Sequence, residues 1–338
     1  MDRWSRRQVV QGVGLAGLGV LAGCGRWPGQ SLSTQLPKIG FLSPAGASSS
    51  TVAAHLARAF HQGLGALGYI EGQNIVLEWR DVESDAARIS EVVTDLVRLP
   101  VDLLVVSSND GAQAAKQLTT RIPIVCASMG DPVGTGLVAS LARPGGNLTG
   151  LSVGVGSELQ GKRLDLLRDT VPWATLLAVL WTPAYRPSVL YLEETERVAQ
   201  AMQLEIISLE VRSPDDFEPA FETASIRRAD ALLTLGSPFI DSQAPQLVEL
   251  IAKSRLPAMH TRREWAASGG MMVYGVDFAD LYRRAASYVD KILKGAKAGD
   301  LPVEQPTKFD FVINLKTAQA LGLSIPPHVL LQATEVIQ

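Results

Sequence analysis

The chain has 338 residues, of which 46% are hydrophobic and 19% are charged, and its formal net charge is −3 at pH 7. That apolar content suffices for one large core or two of medium size. The absence of any basic block in the sequence argues against nucleic-acid binding. Two cysteines and four scattered histidines give no metal-ligand spacing, so we expect neither a metal nor a cofactor.

The first residues carry an export signal. Arg6 and Arg7 form a twin-arginine motif, and an uncharged stretch of small and apolar residues follows. This stretch is shorter than the roughly 20 residues that a membrane-spanning helix needs. The sequence Leu-Ala-Gly then leads into Cys24, which predicts a signal peptide over 1–23 and a lipid on Cys24. A soluble exported protein cut nearby is the alternative.

Residues 24–37 are polar and predict a tether between the lipid and the folded domain. From Lys38 onward, short apolar runs alternate with stretches of helical periodicity. Continuous apolar runs such as 101–106 and 124–127 are typical of strands buried on both faces, which indicates βαβ units and a parallel sheet.

After Gly150 the same pattern starts again. Strand ends of the second run mirror those of the first, as Ser107-Ser108-Asn109 is matched by Gly236-Ser237-Pro238. The predicted fold class is therefore α/β, with two doubly wound parallel-sheet lobes. The first lobe covers 38–152 and the second 153–276.

Two glycine motifs in the sequence look functional but lack the right context. The G-x-G-x-x-G pattern at 12–17 lies inside the export signal, whereas a dinucleotide site needs it between a strand and a helix. Residues 156–163 nearly match a phosphate-binding loop, but Arg163 replaces the Ser or Thr that coordinates magnesium. We interpret this segment as a glycine turn followed by an exposed helix start.

In an open parallel sheet, ligands bind outside the carboxyl ends of the strands. The mirrored loops lie at those ends and are rich in Ser, Thr, Asn, Gly and Pro. Helices begin directly after several of them, and a helix N-terminus favours an anion such as a carboxylate. If the lobes face each other, both sets of loops form one cleft that closes around a ligand by a hinge motion.

Several motifs resemble those of ABC transporter substrate-binding proteins of the tryptophan/tyrosine type. The most specific is Leu-Ala-Arg-Pro-Gly-Gly-Asn-Leu-Thr-Gly at 141–150; further matches begin at Lys38, Pro123, Asp131 and Asn314. The resemblance covers essentially everything from Lys38 to the end of the chain. It implies a type I periplasmic-binding fold with a multi-strand hinge, and an ATP-driven permease as partner. In such a fold, about 277–303 returns to the first lobe and about 304–338 to the second.

The candidate ligand contacts are polar or aromatic residues at predicted strand ends. They are Ser43, Ser107, Ser108, Asn109, Ser128, Asp131, Tyr185, Ser237, His260, Tyr274 and Asp277. Serine, asparagine and aspartate also favour turns and helix caps, so a structural role is open for each. Asp131 could pair with a ligand ammonium or cap a turn, and His260 could be a buried structural residue. Tyr185 could stack on a ligand or lie exposed in a loop.

The function expected from these features is a lipid-anchored extracytoplasmic solute-binding component of an ABC importer. It would capture a small polar molecule such as an amino acid, act as a monomer, and deliver its ligand to a permease in the inner membrane. The alternatives are an exported two-lobed α/β enzyme and a ligand-sensing subunit of a membrane receptor. Because the sequence contains no His-Glu-x-x-His motif and the loop serines have no evident histidine partner, we favour binding over catalysis.

Overall fold

The computed structural model describes residues 36–43, 51–81, 86–154 and 157–338. The twin-arginine motif, the cleavage sequence and Cys24 lie outside the described residues. Residues Leu36–Gln338 form one compact unit, and within it the strands build two sheets.

The first sheet has five parallel strands in the order β2-β1-β3-β4-β5. Its central strands are buried along their whole length, because helices cover both faces. The elements are β1 Lys38–Ser43, α1 Thr51–Ala66, β2 Val76–Asp81, α2 Ala86–Arg98, β3 Leu103–Val106, α3 Asn109–Leu118, β4 Ile124–Met129 and β5 Leu148–Ser152.

The second sheet has seven strands in the order β12-β11-β10-β9-β8-β6-β7. The elements from α4 to β10 are α4 Ser157–Thr170, β6 Leu176–Trp181, α5 Arg186–Ala201, β7 Glu205–Glu210, α6 Phe217–Ile226, β8 Ala231–Thr234, α7 Pro238–Ser242, α8 Ala244–Ser254, β9 Ala258–His260, α9 Glu264–Ala267 and β10 Met272–Val276. The remaining elements are α10 Phe278–Leu293, β11 Phe309–Asn314, α11 Leu315–Ala320, α12 Pro327–Leu330 and β12 Glu335–Ile337. Short 3-10 turns lie at Pro214–Asp216 and Ala298–Asp300.

Each sheet has a hydrophobic cluster on either face. We call the five-stranded sheet with its helices lobe 1 and the seven-stranded sheet with its helices lobe 2. Helix α10 follows a strand of lobe 2 but packs against α1, and its residues Leu281, Tyr282 and Val289 belong to the lobe 1 core. The chain therefore leaves lobe 2 and returns to lobe 1.

Three chain segments connect the lobes within Leu36–Gln338: β5 to α4, β10 to α10, and the stretch between α10 and β11. These segments are hydrogen-bonded to one another. The amide of Ser152 donates to the carbonyl oxygen of Glu304 at 2.9 Å, and the amide of Asp277 donates to that of Lys308 at 3.1 Å. The paired segments form a multi-strand hinge.

The predicted α/β class with two doubly wound lobes is confirmed, and one strand pair differs from the all-parallel expectation. Strand β11 runs antiparallel to β10, with Phe309 opposite Val276. The chain comes back to the second sheet from the hinge, at the same end where β10 leaves it. It must therefore run in the opposite direction along the neighbouring strand.

Candidate functional site

A cavity of about 460 Å³ lies between the two lobes. The carboxyl ends of strands from both sheets open into it, as a ligand site in open parallel sheets requires. Six of the predicted contacts line it: Ser43, Ser107, Ser108, Ser128, Tyr185 and Ser237. The remaining five candidates do not line this cavity.

The wall that lobe 1 contributes is built mainly from hydroxyl groups. Ser43, Ser107 and Ser128 lie at the ends of β1, β3 and β4. The Ser128 hydroxyl donates to the carbonyl oxygen of Ser107 at 2.7 Å, and Ser108 accepts from the amide of Gly111 at 3.2 Å to cap α3. These serines therefore hold the strand ends and face the cavity at the same time.

The wall that lobe 2 contributes carries charge. Arg163, Asp241, Arg262 and Glu264 all line the cavity. Arg262 lies 3.4 Å from Glu264, and its guanidinium carbon is 4.1 Å from the ring centre of Phe278, which belongs to lobe 1. A cation over an aromatic face is attracted by the ring, so this contact ties the lobes together.

Arg163 is a site residue that the sequence reading missed. Only 5% of its surface is exposed, so the predicted exposed helix start is wrong at this position. Its Nε donates to the carbonyl oxygen of Tyr274 at 2.8 Å, and its Nη1 donates to Gln160 Oε1 at 3.1 Å. Burial lowers the pKa of Arg163 to about 10, which leaves it charged at neutral pH. The sequence feature that could have indicated its burial is its position on the apolar face of α4, next to the buried Leu164.

Asp241 is the second charged cavity residue that forms no ion pair with the part of the chain that the structure describes. Its Oδ1 accepts from the indole Nε1 of Trp265 at 2.9 Å. Burial raises the pKa of Asp241 to about 6, and the attraction of Arg262 only partly opposes this. Asp241 is thus an ionised carboxylate at neutral pH that gains protons readily in mild acid.

Three hydroxyls at the cavity lack a hydrogen-bond partner among the described residues: Ser107 Oγ in lobe 1, and Tyr191 Oη and Thr261 Oγ1 in lobe 2. All three oxygens are buried. A buried hydroxyl without a partner is costly, so such groups mark places where a ligand or water completes the structure. Together with Arg163 and Asp241, Tyr191 and Thr261 give the lobe 2 wall unused hydrogen-bonding capacity.

The lobes touch at the edge of the cavity, where Gly130 of lobe 1 meets the start of α5. A Cβ atom at Gly130 would lie 2.7 Å from Tyr191 Oη and 2.8 Å from Pro187 Cβ. Both distances are shorter than atoms tolerate, so only glycine fits this approach.

The five predicted contacts outside the cavity lining have other roles, and each contacts a defined partner in the structure. Asn109 binds the amide and carbonyl of Gly130, both at 2.7 Å. Asp131 accepts from the amide of Gly134 at 2.8 Å and shapes the turn after β4. Asp277 caps α10 by accepting from the amide of Asp280 at 2.9 Å.

The other two, His260 and Tyr274, support the lobe 2 wall from behind. The ring of His260 stacks on Trp265 with centroids 4.3 Å apart, and its Nδ1 is 3.1 Å from Thr234 Oγ1. Burial lowers the pKa of His260 to about 3 and keeps the ring neutral. The ring of Tyr274 stacks on Phe309, and only its backbone oxygen reaches Arg163.

Within the described ranges, no three or more His, Cys, Asp or Glu side chains are grouped so as to hold a metal ion. In those same ranges, no helix combines the length and apolar character needed to cross a membrane. Cys126 is buried in β4, and burial raises the pKa of its thiol to about 12.

Comparison with known proteins gives consistent matches across the chain. The family model for ABC transporter substrate binding protein matches residues 52–337. A tyrosine-binding protein of Clostridioides difficile is 24% identical over 315 residues, which cover 92% of this chain and 90% of the relative.

Two solved structures have the same architecture. The ABC domain in complex with L-Trp from Streptococcus pneumonia has a TM-score of 0.83 and 27% identity, covering 90% of this chain and all of that one. A conserved domain protein from Vibrio cholerae also has a TM-score of 0.83, with 25% identity, covering 89% of this chain and all of that one. The family match spans both lobes, and the chain therefore belongs to the ABC transporter substrate-binding proteins.

Proposed function

We propose that this protein captures an amino acid outside the cytoplasm and delivers it to an ABC permease in the inner membrane. The observation that carries the proposal is the cavity between the lobes, to which both walls contribute polar groups. Its volume of about 460 Å³ falls in the range expected for small-molecule sites. The three cavity hydroxyls without partners among the described residues support a ligand that forms hydrogen bonds.

An aromatic amino acid is the ligand class that we propose. The support is that one relative is named a tyrosine-binding protein and that one similar structure holds L-Trp. Aromatic side chains also line the cavity here, namely Tyr185, Tyr191 and Trp265. Asp241 is proposed to accept the ligand's ammonium group, because it is an ionised carboxylate with one oxygen committed to Trp265.

Capture is proposed to occur by closure of the hinge. In this proposal residues 38–152 move together with about 277–303, and residues 153–276 with about 304–338. The contact of Gly130 with Pro187 and Tyr191 is then the rim at which the closed lobes meet. Ligand held between both walls would stabilise the closed arrangement over the open one.

A thermal-shift screen tests the proposed ligand class. Because a ligand that binds only the folded state raises apparent stability, L-tryptophan or L-tyrosine should raise the Tm, while sugars of similar size should not. The same mixtures should be analysed for products. Chemical turnover of a stabilising compound would favour the exported enzyme instead, and stabilisation by sugars alone would exclude the amino-acid assignment.

Anchoring by lipid is a separate part of the proposal and depends on Cys24. Replacing Cys24 by Ser should leave an unprocessed precursor without acyl chains, because the thiol carries the lipid. Membrane fractionation and intact-mass measurement would detect this. A Cys24→Ser protein that is still acylated would contradict the proposed anchor.

A further inference from the structure

Arg163 is a buried cation that faces the cavity without a carboxylate partner. Both of its hydrogen bonds go to uncharged oxygens, the carbonyl of Tyr274 and the amide of Gln160. None of the ion pairs among the described residues includes Arg163, whereas Arg262 in the same wall pairs with Glu264. A guanidinium has five N–H donors, so this arrangement leaves donors available on Arg163.

The surroundings of Arg163 favour one further partner that carries a negative charge. The group stays charged at neutral pH, and a buried charge is unfavourable unless it is paired. Asp241 attracts it only from beyond ion-pair distance and is itself bound to Trp265. The adjacent Tyr191 hydroxyl has no partner in the described structure and can donate to the same anion.

We propose that Arg163 and the Tyr191 hydroxyl bind the carboxylate of the ligand, so that a free carboxylate is required for capture. This rests on the proposed function, since it assigns part of the same cavity. A carboxylate accepts two parallel N–H bonds from an arginine fork, and a neutral amide cannot do so with equal strength. An amine lacking the carboxylate would leave Arg163 buried and unpaired.

The test compares matched ligands on the full chain purified in mild detergent. The probes are L-tryptophan and L-tyrosine, their amides, the amines tryptamine and tyramine, and the acids indole-3-propanoate and 3-(4-hydroxyphenyl)propanoate. Calorimetry should show the amides and amines binding at least tenfold more weakly than the amino acid. The aromatic groups are the same in each series, so weaker binding of both the amide and the amine is assigned to the missing carboxylate.

Variants then assign the effect to Arg163. Arg163→Lys should weaken the amino acid at least tenfold and remove most of its advantage over the amide. Arg168→Lys is the matched control: it changes a paired arginine on the same helix, outside the cavity lining, and should preserve that advantage. Tyr191→Phe keeps the arginine and removes only the hydroxyl, with an expected loss of three- to tenfold. Circular dichroism and the ligand-free Tm establish that each variant is folded.

The outcomes separate the inference from the proposed function. Equal binding of the amino acid and its amide would overturn the role of Arg163 and leave amino-acid capture intact, as would equal losses in Arg163→Lys and Arg168→Lys. Binding of the propanoates with no binding of either amino acid would overturn the amino-acid assignment but support the carboxylate requirement. If neither the amino acids nor the propanoates bind, both the proposed function and the carboxylate requirement are overturned.

Discussion

The two walls of the cavity are built from different chemistry. Lobe 1 presents neutral serine hydroxyls, of which those of Ser108 and Ser128 also bond to their own backbone. Lobe 2 presents two arginines and two carboxylates, of which Arg163 and Asp241 form no ion pair among the described residues. Lobe 2 therefore has the groups that can recognise charge, and lobe 1 has groups suited to completing the enclosure. Each prediction below tests this difference.

The largest effect is expected at Asp241. Asp241→Asn should weaken binding of L-tryptophan about 100-fold, because a charged hydrogen bond to the ammonium contributes about 2–3 kcal/mol. Calorimetry at pH 7.5 measures this. A loss below threefold would show that lobe 2 does not recognise the ammonium through this residue.

The same substitution should raise the stability of the ligand-free protein. The pKa of Asp241 is raised to about 6 in the folded chain, above its ordinary value near 3.8, so its ionisation costs folding free energy as the pH rises through this window. At neutral pH, Asp241→Asn should therefore increase the free energy of unfolding by up to about 3 kcal/mol. Below pH 6 the difference should shrink, and ligand affinity of the unaltered protein should fall as Asp241 takes up a proton.

His260 supports the lobe 2 wall and should make the protein sensitive to acid. Its folded pKa of about 3 lies below its ordinary value of 6.5, so the unfolded chain gains a proton first as the pH falls. Stability should drop by about 2 kcal/mol between pH 6.5 and 4.5 from this residue. Urea unfolding across that range should show that the free energy of unfolding declines less steeply in His260→Phe than in the unaltered protein. Equal declines in the two proteins would exclude His260 as the cause.

A substitution at Gly130 tests whether the two walls come into contact when the ligand binds. Gly130→Ala places a Cβ against Tyr191 and Pro187, which should oppose closure by about 1–2 kcal/mol and weaken binding five- to tenfold. Gly65→Ala in α1 is the control, because nothing lies within 4 Å of its Cβ position. Equal affinities for the two variants would mean that closure does not bring these residues together.

The smallest effect on binding is expected in lobe 1. Ser108→Ala removes the cap of α3 and should lower the free energy of unfolding by about 1 kcal/mol. Binding should change less than threefold, since the charged groups lie in the other wall. A loss of affinity as large as that of Asp241→Asn would contradict the division between the walls.

The lobes could be predicted from the sequence because local signals set them. Apolar runs such as 124–127 mark strands covered on both faces, and the repeated order of elements after Gly150 indicates a second sheet. The antiparallel β11 was not predicted, because its direction depends on where the hinge returns the chain. The sequence around Phe309 contains no local pattern that would indicate this long-range constraint.

Only part of the candidate site could be predicted from the sequence. Loop position placed Ser43 and Ser128 correctly at strand ends, since parallel strands end on one edge. It could not separate them from Asn109 and Asp277, whose side chains bond to nearby backbone instead. Arg163 was missed because it lies on a helix, where a single arginine among leucines is easily taken for a surface residue.

The central claim is that a ligand is held between the two lobes by closure of the hinge. Small-angle X-ray scattering of residues 36–338, without ligand and with saturating L-tryptophan, tests it most directly. We predict a smaller radius of gyration with L-tryptophan, and no such change in Asp241→Asn at the same concentration. An unchanged radius when calorimetry confirms saturation would contradict the account.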